Sequence, residues 1–206
     1  MELATGRVLT IGHSSMPIDV FLDQLYLTGV TVVADVRSSP NSRHSHFCMN
    51  YLKPTLKNAG IDYVFMGKEL GGRPKDERLY IGGVADYEKM AEEEDFKAGM
   101  QRLVDGASRH TIALMCSEYN PLDCHRCLLV GRALNKRGIE VGHIMADATV
   151  VEHDTVEKKL LQLTRGAEDD FFAPPLERLN RAYRMRSLKV AYRQKSSARR
   201  DLQNQE

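Results

Sequence analysis

Short apolar stretches alternate with longer amphipathic stretches along most of the chain. Each apolar stretch is five to seven residues long and rich in β-branched side chains, as is typical of strands buried on both faces. They predict strands over residues 8–12, 30–36, 61–66, 111–116 and 139–145. The amphipathic stretches predict helices over residues 17–27, 50–58, 86–107, 123–136 and 154–163. This alternation predicts an α/β fold, with a largely parallel sheet of about five strands and helices on both faces.

Charge divides the chain into two parts. Between Arg178 and Arg200 there are nine Lys or Arg residues and no Asp or Glu, while the whole chain has a formal charge of only +1. We therefore predict a mildly acidic α/β domain over residues 1–170 and a basic C-terminal extension, helical or partly disordered, over residues 171–206. Two roles are open for the extension. It could bind a phosphate backbone, or it could be a solvated end or a helix packed on the acidic body.

The composition is that of a soluble globular protein, with 42% hydrophobic and 28% charged residues. No apolar run approaches the roughly 20 residues of a membrane span, and the first residues do not have the pattern of a secretory signal. Four cysteines in such a chain are expected to be reduced thiols. We predict a cytoplasmic protein that does not bind a membrane.

Polar and reactive residues follow the predicted strands. Because parallel strands end at one edge of the sheet, where α/β proteins bind ligands, these residues are expected to meet there. They are His13 and Ser14 after the first strand, Asp35, Arg37 and Arg43 at and after the second, and Asp147 and His153 after the last. For any one of them a structural role is the alternative: Asp35 and Arg37 could form an ion pair, and His13 could cap a helix.

The segment CSEYNPLDCHRC, residues 116–127, carries the most chemistry. It predicts a helix that begins near Asp123, whose backbone amides would attract an anion and lower the pKa of the Cys124 thiol. Cys116 and Cys124 are thus candidates for a nucleophile or a redox pair, although buried cysteines are often inert. A cysteine-dependent phosphatase loop has an arginine six positions after its cysteine. Leu122 stands at that position after Cys116, so such a loop is not predicted. Cys124 and Cys127 could bind a metal only together with Cys48 and the His44/His46 pair, which folding alone could bring to them, and no metal site is predicted.

Several of these segments together resemble domain of unknown function 488. The motifs are TIGHS at 10–14, DVRSSPNSR at 35–43, HF at 46–47, LGGR at 70–73, Cys116 with Glu118, CHR at 124–126, and GHIMAD at 142–147 followed by His153. The resemblance runs from about residue 8 to about residue 155. It implies a compact α/β domain and supplies no reaction.

Four positions depart from the pattern of that family. His44, Cys48 and Cys127 are not associated with it, so a site that used them would be particular to this chain. Ala148 follows Asp147 where glycine is common, so the turn after the last motif is expected to be less tight.

The resulting prediction is an enzyme that acts on a phosphate-bearing substrate, a nucleotide or a nucleic acid, at the carboxyl edge of the sheet. The candidate catalytic residues are Cys116, Cys124, Asp35, Glu118 and His125. The candidate anion-binding residues are His13, Ser14, Arg37, Arg43, Arg73 and Arg126. No cofactor is assigned. The alternatives are a nucleic-acid-binding module without catalysis, and a metal or redox protein that uses the cysteines.

Overall fold

The computed structural model describes residues 6–164 and 172–194, and their centre is a six-stranded sheet. Its strands are β1 (Arg7–Gly12), β2 (Val32–Asp35), β3 (Asp62–Phe65), β6 (Ile112–Cys116), β7 (Glu140–Ile144) and β8 (Val150–Glu152). Two short strands, β4 (Tyr80–Ile81) and β5 (Val84–Ala85), form a separate antiparallel hairpin. The order across the large sheet is β3-β2-β6-β1-β7-β8, and every neighbouring pair is parallel except β7 and β8. The prediction of an α/β fold with a largely parallel sheet is therefore confirmed.

The sixth strand, β8, was missed by the sequence analysis and runs against the other five. The chain reverses at Asp147 and Ala148, where Ala148 adopts a left-handed conformation with φ of 62°. Asp147 Oδ1 accepts hydrogen bonds from the backbone N–H and the hydroxyl of Thr149, which stabilises this turn without a glycine. The turn is thus tighter than the alanine led us to expect.

Strand β8 was missed because its three residues are too few to show a periodic pattern.

Helices connect and cover the strands. They are α1 (Ile18–Leu27), α2 (Met49–Asn58), α3 (Gly67–Leu70), α4 (Tyr87–Glu92), α5 (Glu94–Ala107), α6 (Arg132–Asn135), α7 (His153–Leu163) and α8 (Pro175–Val190). In the described residues these helices are joined by three 3₁₀ turns, Ser45–Phe47, Glu77–Leu79 and Pro121–Asp123, and by a π-helical segment, Arg126–Gly131.

Two of the predicted helices are interrupted. The helix predicted over residues 86–107 is broken at Glu93, whose ψ of 141° is extended, so the segment forms two helices, α4 and α5. The helix predicted over 123–136 begins only at Arg126, after an extended Cys124, and its first turns are π-helical before α6. π-helical turns occur often at functional sites.

Each face of the sheet has its own apolar core, as predicted for a sheet covered on both sides. Leu9 and Ile11 of β1 pack with α1 and α2 on one face, whereas Val8 packs with α5, α7 and the π-helical segment on the other. This follows from the alternation of side chains along a strand. Helix α1 thus leads the chain from β1 over one face, and the π-helical segment leads it from β6 over the other. The carboxyl ends of β1 and β6 therefore mark the point where the connections diverge, and such points form ligand crevices.

The C-terminal extension contains α8, which packs on the acidic body. Tyr183 of α8 is buried, Arg184 contacts Glu88, and Arg186 pairs with Asp123. After α8 the chain joins the hairpin, because the carbonyl of Tyr192 accepts a hydrogen bond from the Ala85 amide at 2.9 Å. The parts of the predicted extension at 171 and 195–206 lie outside the described residues. Within residues 6–164 and 172–194, no helix is both long and apolar enough to cross a membrane.

Candidate active site

A cavity of about 420 Å³ lies at the carboxyl edge of the sheet, beside the end of β6. Its lining combines polar groups from four parts of the chain, and it includes both thiols that the sequence singled out. The lining residues are Arg37, Ser38, Ser39, Asn41, Gly72, Arg73, Cys116, Ser117, Glu118, Asp123, Cys124, His125, Val190 and Tyr192. The predicted edge of the sheet therefore does hold a concave polar site.

Four side chains, here called the thiol cluster, meet at this cavity: Cys116, Glu118, Cys124 and His125. Glu118 Oε2 accepts hydrogen bonds from both thiols, at 2.9 Å from Cys116 Sγ and 3.1 Å from Cys124 Sγ. Nδ1 of His125 lies 3.7 Å from each sulfur. Both cysteines are almost fully buried, so these polar contacts are made away from bulk water. The two cysteines are reduced in the structure.

The backbone between the two cysteines explains how they meet. Strand β6 ends at Cys116, and Asn120 caps the next 3₁₀ turn through a hydrogen bond from the Leu122 amide to its Oδ1. Pro121 at the first position of that turn suits the fixed φ of proline. Cys124 follows in an extended conformation, which turns its side chain back towards Cys116. The amide of Arg126 then reaches Cys124 Sγ at 3.4 Å, so a backbone donor contacts the thiol.

Arg126 holds the loop that carries Glu118. Its guanidinium is buried, and its two Nη atoms donate to the carbonyls of Glu118 and Tyr119 at 2.5 and 2.9 Å. This arrangement fixes the backbone from which Glu118 reaches the thiols. It also places a positive charge beside Cys124.

The electrostatics separate the two thiols. Burial raises the pKa of the Cys124 thiol, but the hydrogen bond from Cys116 and the charges of Arg126 and His125 outweigh it, so this pKa lies well below its ordinary value. Burial, together with the hydrogen bond to Cys124 and its negative charge, raises the pKa of Cys116 well above its ordinary value. Burial and the neighbouring Cys124 also raise the pKa of Glu118. The two pKa values shift in opposite directions because the thiols titrate as one coupled pair, which loses its first proton more readily than its second.

A second buried polar group lies behind the cavity. Arg37 makes a paired contact with Asp35, with Nη2 2.6 Å from Oδ2 and Nε 2.8 Å from Oδ1, and also donates to the carbonyl of Phe47 at 2.9 Å. Tyr63 donates to Asp35 Oδ2 at 2.7 Å, and His13 Nε2 lies 3.2 Å from Arg37 Nη1. Sequence analysis treated His13, Asp35 and Arg37 as functional candidates. Asp35 and Arg37 form the ion pair that was their stated alternative. His13 contacts Arg37 and is not the cap of α1, whose N-cap is Pro17.

The remaining candidates are more dispersed. Arg73 lies on the cavity wall, where its amide donates to Ser38 Oγ at 2.9 Å and its guanidinium stacks 5.1 Å from the ring centre of Tyr192. Arg43 is exposed and does not line the cavity. Ser14 follows β1 with a left-handed φ of 46° and is held by a backbone hydrogen bond to Ser117. The roles predicted for these residues stay predictions.

Sequence reasoning missed a chain of buried hydrogen bonds that joins β1 to α8. It runs from Thr10 to His143 at 2.8 Å, on to His153 at 3.0 Å, to Tyr183 at 2.9 Å and to Glu157 at 2.8 Å. Burial lowers the pKa of both His143 and His153, so both rings are neutral. Since Tyr183 donates to the Glu157 carboxylate, each neutral imidazole is assigned as a donor through Nε2 and an acceptor through Nδ1. The motif GHIMAD and the following His153 were the available signals, but Tyr183 lies in a segment that looked merely basic.

Two buried histidines, His13 and His153, predict sensitivity to acid. Burial lowers the pKa of His13 and of His153 to about 4, against about 6.5 in the unfolded chain. Stability is thus complete above pH 6.5 and falls as the pH drops towards 4, by about 3 kcal/mol for each histidine, because only the unfolded chain takes up these protons. The side chain of His153 is buried. The titratable groups that face it are His143, Asp154, Glu157 and Tyr183.

The measurement is the free energy of unfolding in urea at several pH values between 6.5 and 4. We expect His153→Gln to show a shallower dependence on pH than the unmodified protein. The exposed His110 provides the control, since His110→Gln should leave the slope unchanged. An unaltered slope in His153→Gln would contradict the assignment.

Comparison with known proteins adds one match. A family model described as "Domain of unknown function DUF488" matches residues 17–133, more than half of the chain. The matched range contains the whole thiol cluster and Arg126 but neither β1 nor α8. No curated protein and no solved structure matches the chain.

Proposed function

Because the chain belongs to the family described as Domain of unknown function DUF488, whose description assigns no activity, we propose a function from the site itself. The protein is an enzyme that acts on a phosphate-bearing substrate, a nucleotide or a nucleic acid, with chemistry that depends on the Cys116 and Cys124 thiols. The substrate enters the cavity at the carboxyl edge of the sheet. Glu118 lies beside both thiols and serves proton transfer, while His125 holds its Nδ1 at 3.7 Å from each sulfur.

The observation that carries this proposal is the convergence of the thiol cluster on the wall of a cavity. Two sulfurs, one carboxylate oxygen and one imidazole nitrogen approach one another within hydrogen-bond or near-contact distances. Buried cysteines that serve packing alone are surrounded by apolar side chains, as small hydrophobes are. To gather four reactive groups in a buried place is costly, and such clusters of perturbed groups in clefts are typical of functional sites.

The wall of the cavity supports a phosphate-bearing substrate. Arg73 supplies a guanidinium, and Ser38, Ser39 and Asn41 supply hydroxyl and amide donors on the same side. A guanidinium with neighbouring donors suits a phosphate group. Tyr192 adds an aromatic ring to the wall, which gives a planar base a surface to contact.

The alternative of a binding module without catalysis receives less support. It relies on the basic extension as an electrostatic arm, yet Arg184 contacts Glu88 and Arg186 contacts both Asp123 and the carbonyl of Leu122. Arginines held by the body of the protein are less available to a phosphate backbone. A simple binding module also has no need of two thiols, a carboxylate and an imidazole in one buried cluster.

A screen for turnover of phosphorylated compounds tests the proposal, starting with nucleotides and short oligonucleotides. We expect turnover by the full chain, its loss in Cys124→Ser, and a decrease of about 10²–10⁴-fold in Glu118→Gln, because a proton carrier contributes about that much. Cys127→Ser is the matched control, since Cys127 is equally buried, lies three residues away and does not line the cavity. A Cys124→Ser protein with an unchanged rate would rule the proposal out, as would a folded protein without activity on any compound of the panel.

A further inference from the structure

We propose that the thiol cluster is a metal centre, in which Cys116, Cys124 and His125 bind one divalent transition metal ion of the zinc class. The proposal rests on the proposed function, because it assigns the two thiols their part in that chemistry as metal ligands. It is carried by the geometry of the three donor atoms and by what surrounds them.

The imidazole nitrogen stands from each sulfur at the distance that a tetrahedral ion requires. They all lie within 4.8 Å of one another, and Nδ1 of His125 is 3.7 Å from each of the two sulfurs. With bonds of about 2.3 Å to sulfur and about 2.0–2.1 Å to nitrogen, a tetrahedral zinc ion separates sulfur and nitrogen by about 3.6 Å. The two sulfur–nitrogen distances therefore match those around a bound ion. Two thiolates and an imidazole are also ligands that zinc prefers.

The orientation of His125 fits a ligand. Its Nε2 donates to the carbonyl of Val36 at 2.8 Å, so in the neutral ring Nδ1 bears the lone pair and faces the two sulfurs. A metal-binding histidine almost always donates its other N–H to a carbonyl or carboxylate in this way. Gly72 packs directly against the ring, where an added Cβ would come within 2.7 Å of Cγ, so the ring is held in place from that side.

Glu118 is placed as a neighbour of the ion and not as its fourth ligand. A carboxylate ligand would stand about 3.6 Å from each sulfur by the same geometry, whereas Oε2 stands at 2.9 and 3.1 Å. The three-ligand set therefore leaves a fourth position, as zinc sites that act on substrates do. All three ligands line the cavity, so a water molecule can reach that position. Glu118 lies beside it as an acceptor for the proton of that water.

A second group of donors makes a useful contrast. Cys127, His143 and His153 also lie within 4.8 Å of one another and are fully buried. There, however, the nitrogens of both imidazoles are used in the hydrogen-bond chain from Thr10 to Glu157, and none of the three residues lines the cavity. The described residues thus offer two candidate groups, of which only the thiol cluster has lone pairs turned towards one point and a route for a ligand.

The experiment measures metal directly. The full chain is purified without added metal, stripped with a chelator and titrated with Zn²⁺ and with Co²⁺, with the bound metal counted by mass spectrometry. We expect one ion per chain and, for Co²⁺, the absorption band of a thiolate-to-metal transition. Cys116→Ser, Cys124→Ser and His125→Asn should lose the ion and the band, while Cys127→Ser keeps both. Circular dichroism establishes that each variant is folded.

The outcomes separate this proposal from the proposed function. A folded, stripped chain that takes up no Zn²⁺, or one that loses its ion equally in Cys127→Ser, overturns the metal centre. Full turnover by the stripped protein overturns it as well and leaves the thiol-dependent enzyme standing. One bound ion, lost in the three ligand variants, together with no turnover of any phosphorylated compound, upholds the metal centre and contradicts the proposed substrate class.

Discussion

Arg37→Met is expected to destabilise the protein by about 3–5 kcal/mol, a large part of the total stability of a domain. The substitution leaves Asp35, whose side chain is fully buried, without its cation. It also removes the hydrogen bond to the carbonyl of Phe47 and the contact with His13. Methionine fills much of the volume of the arginine stem, so the effect reports the uncompensated charge more than a cavity. The free energy of unfolding in urea measures it.

The chain contains a matched control for this prediction. Asp76 and Arg78 have the same spacing, and here too the arginine amide and guanidinium donate to the aspartate two residues earlier, but on the surface. Arg78→Met should leave the stability nearly unchanged, because an exposed ion pair contributes little. The double variant Asp35→Leu, Arg37→Met should lose less stability than the single variant, since it buries no unpaired charge. Equal losses from Arg37→Met and Arg78→Met would contradict the buried-charge explanation.

Gly12→Ala is expected to disrupt both the fold near β1 and the thiol cluster. An added Cβ would lie 1.9 Å from the carbonyl oxygen of Glu118 and 2.9 Å from Nη2 of Arg126. Because the first of these atoms belongs to the backbone, the loop that carries Glu118 must move away from β1. We expect a loss of several kcal/mol, as for overpacking of a closed core, and a loss of metal binding in any fraction that remains folded.

Gly138→Ala serves as the comparison. Gly138 has a positive φ of 76° but open space around its Cα, so alanine there costs only about 1–2 kcal/mol of backbone strain. Unfolding in urea and metal content are measured on both variants. Close contact at Gly12 is the wrong explanation if Gly12→Ala retains full metal content and loses no more stability than Gly138→Ala.

The sequence predicted those parts of the fold that depend on local patterns. Continuous apolar runs such as residues 32–34 identify buried parallel strands. The candidate residues at 116–126 could be placed at one edge because parallel strands share a direction. The break at Glu93 and the strand β8 were missed. Both depend on tertiary packing that leaves no periodic signal in the chain.

The sequence predicted which residues belong to the candidate site but not how their side chains contact one another. Cys116, Glu118, Cys124 and His125 were all named, but the shared carboxylate oxygen and the common imidazole nitrogen depend on the extended backbone of Cys124. Arg37 and Arg126 were named as anion-binding residues, while each makes several hydrogen bonds within the protein. A residue type shows what a side chain can bind, and only the fold shows which partners reach it.

Residues 192–194 pair with the small hairpin and bring Tyr192 to the cavity, so this side of the cavity forms last during translation. Every strand of the large sheet, and both thiols, are translated before α8, whereas Val190 and Tyr192 of the cavity wall come later. Once residues up to about 163 have emerged from the ribosome, the sheet and the thiol cluster can form while the side of the cavity that faces α8 is still open to solvent. For that interval the thiols are accessible to metal ions and oxidants that the finished wall restricts, so the state of the site is open to influence during translation itself.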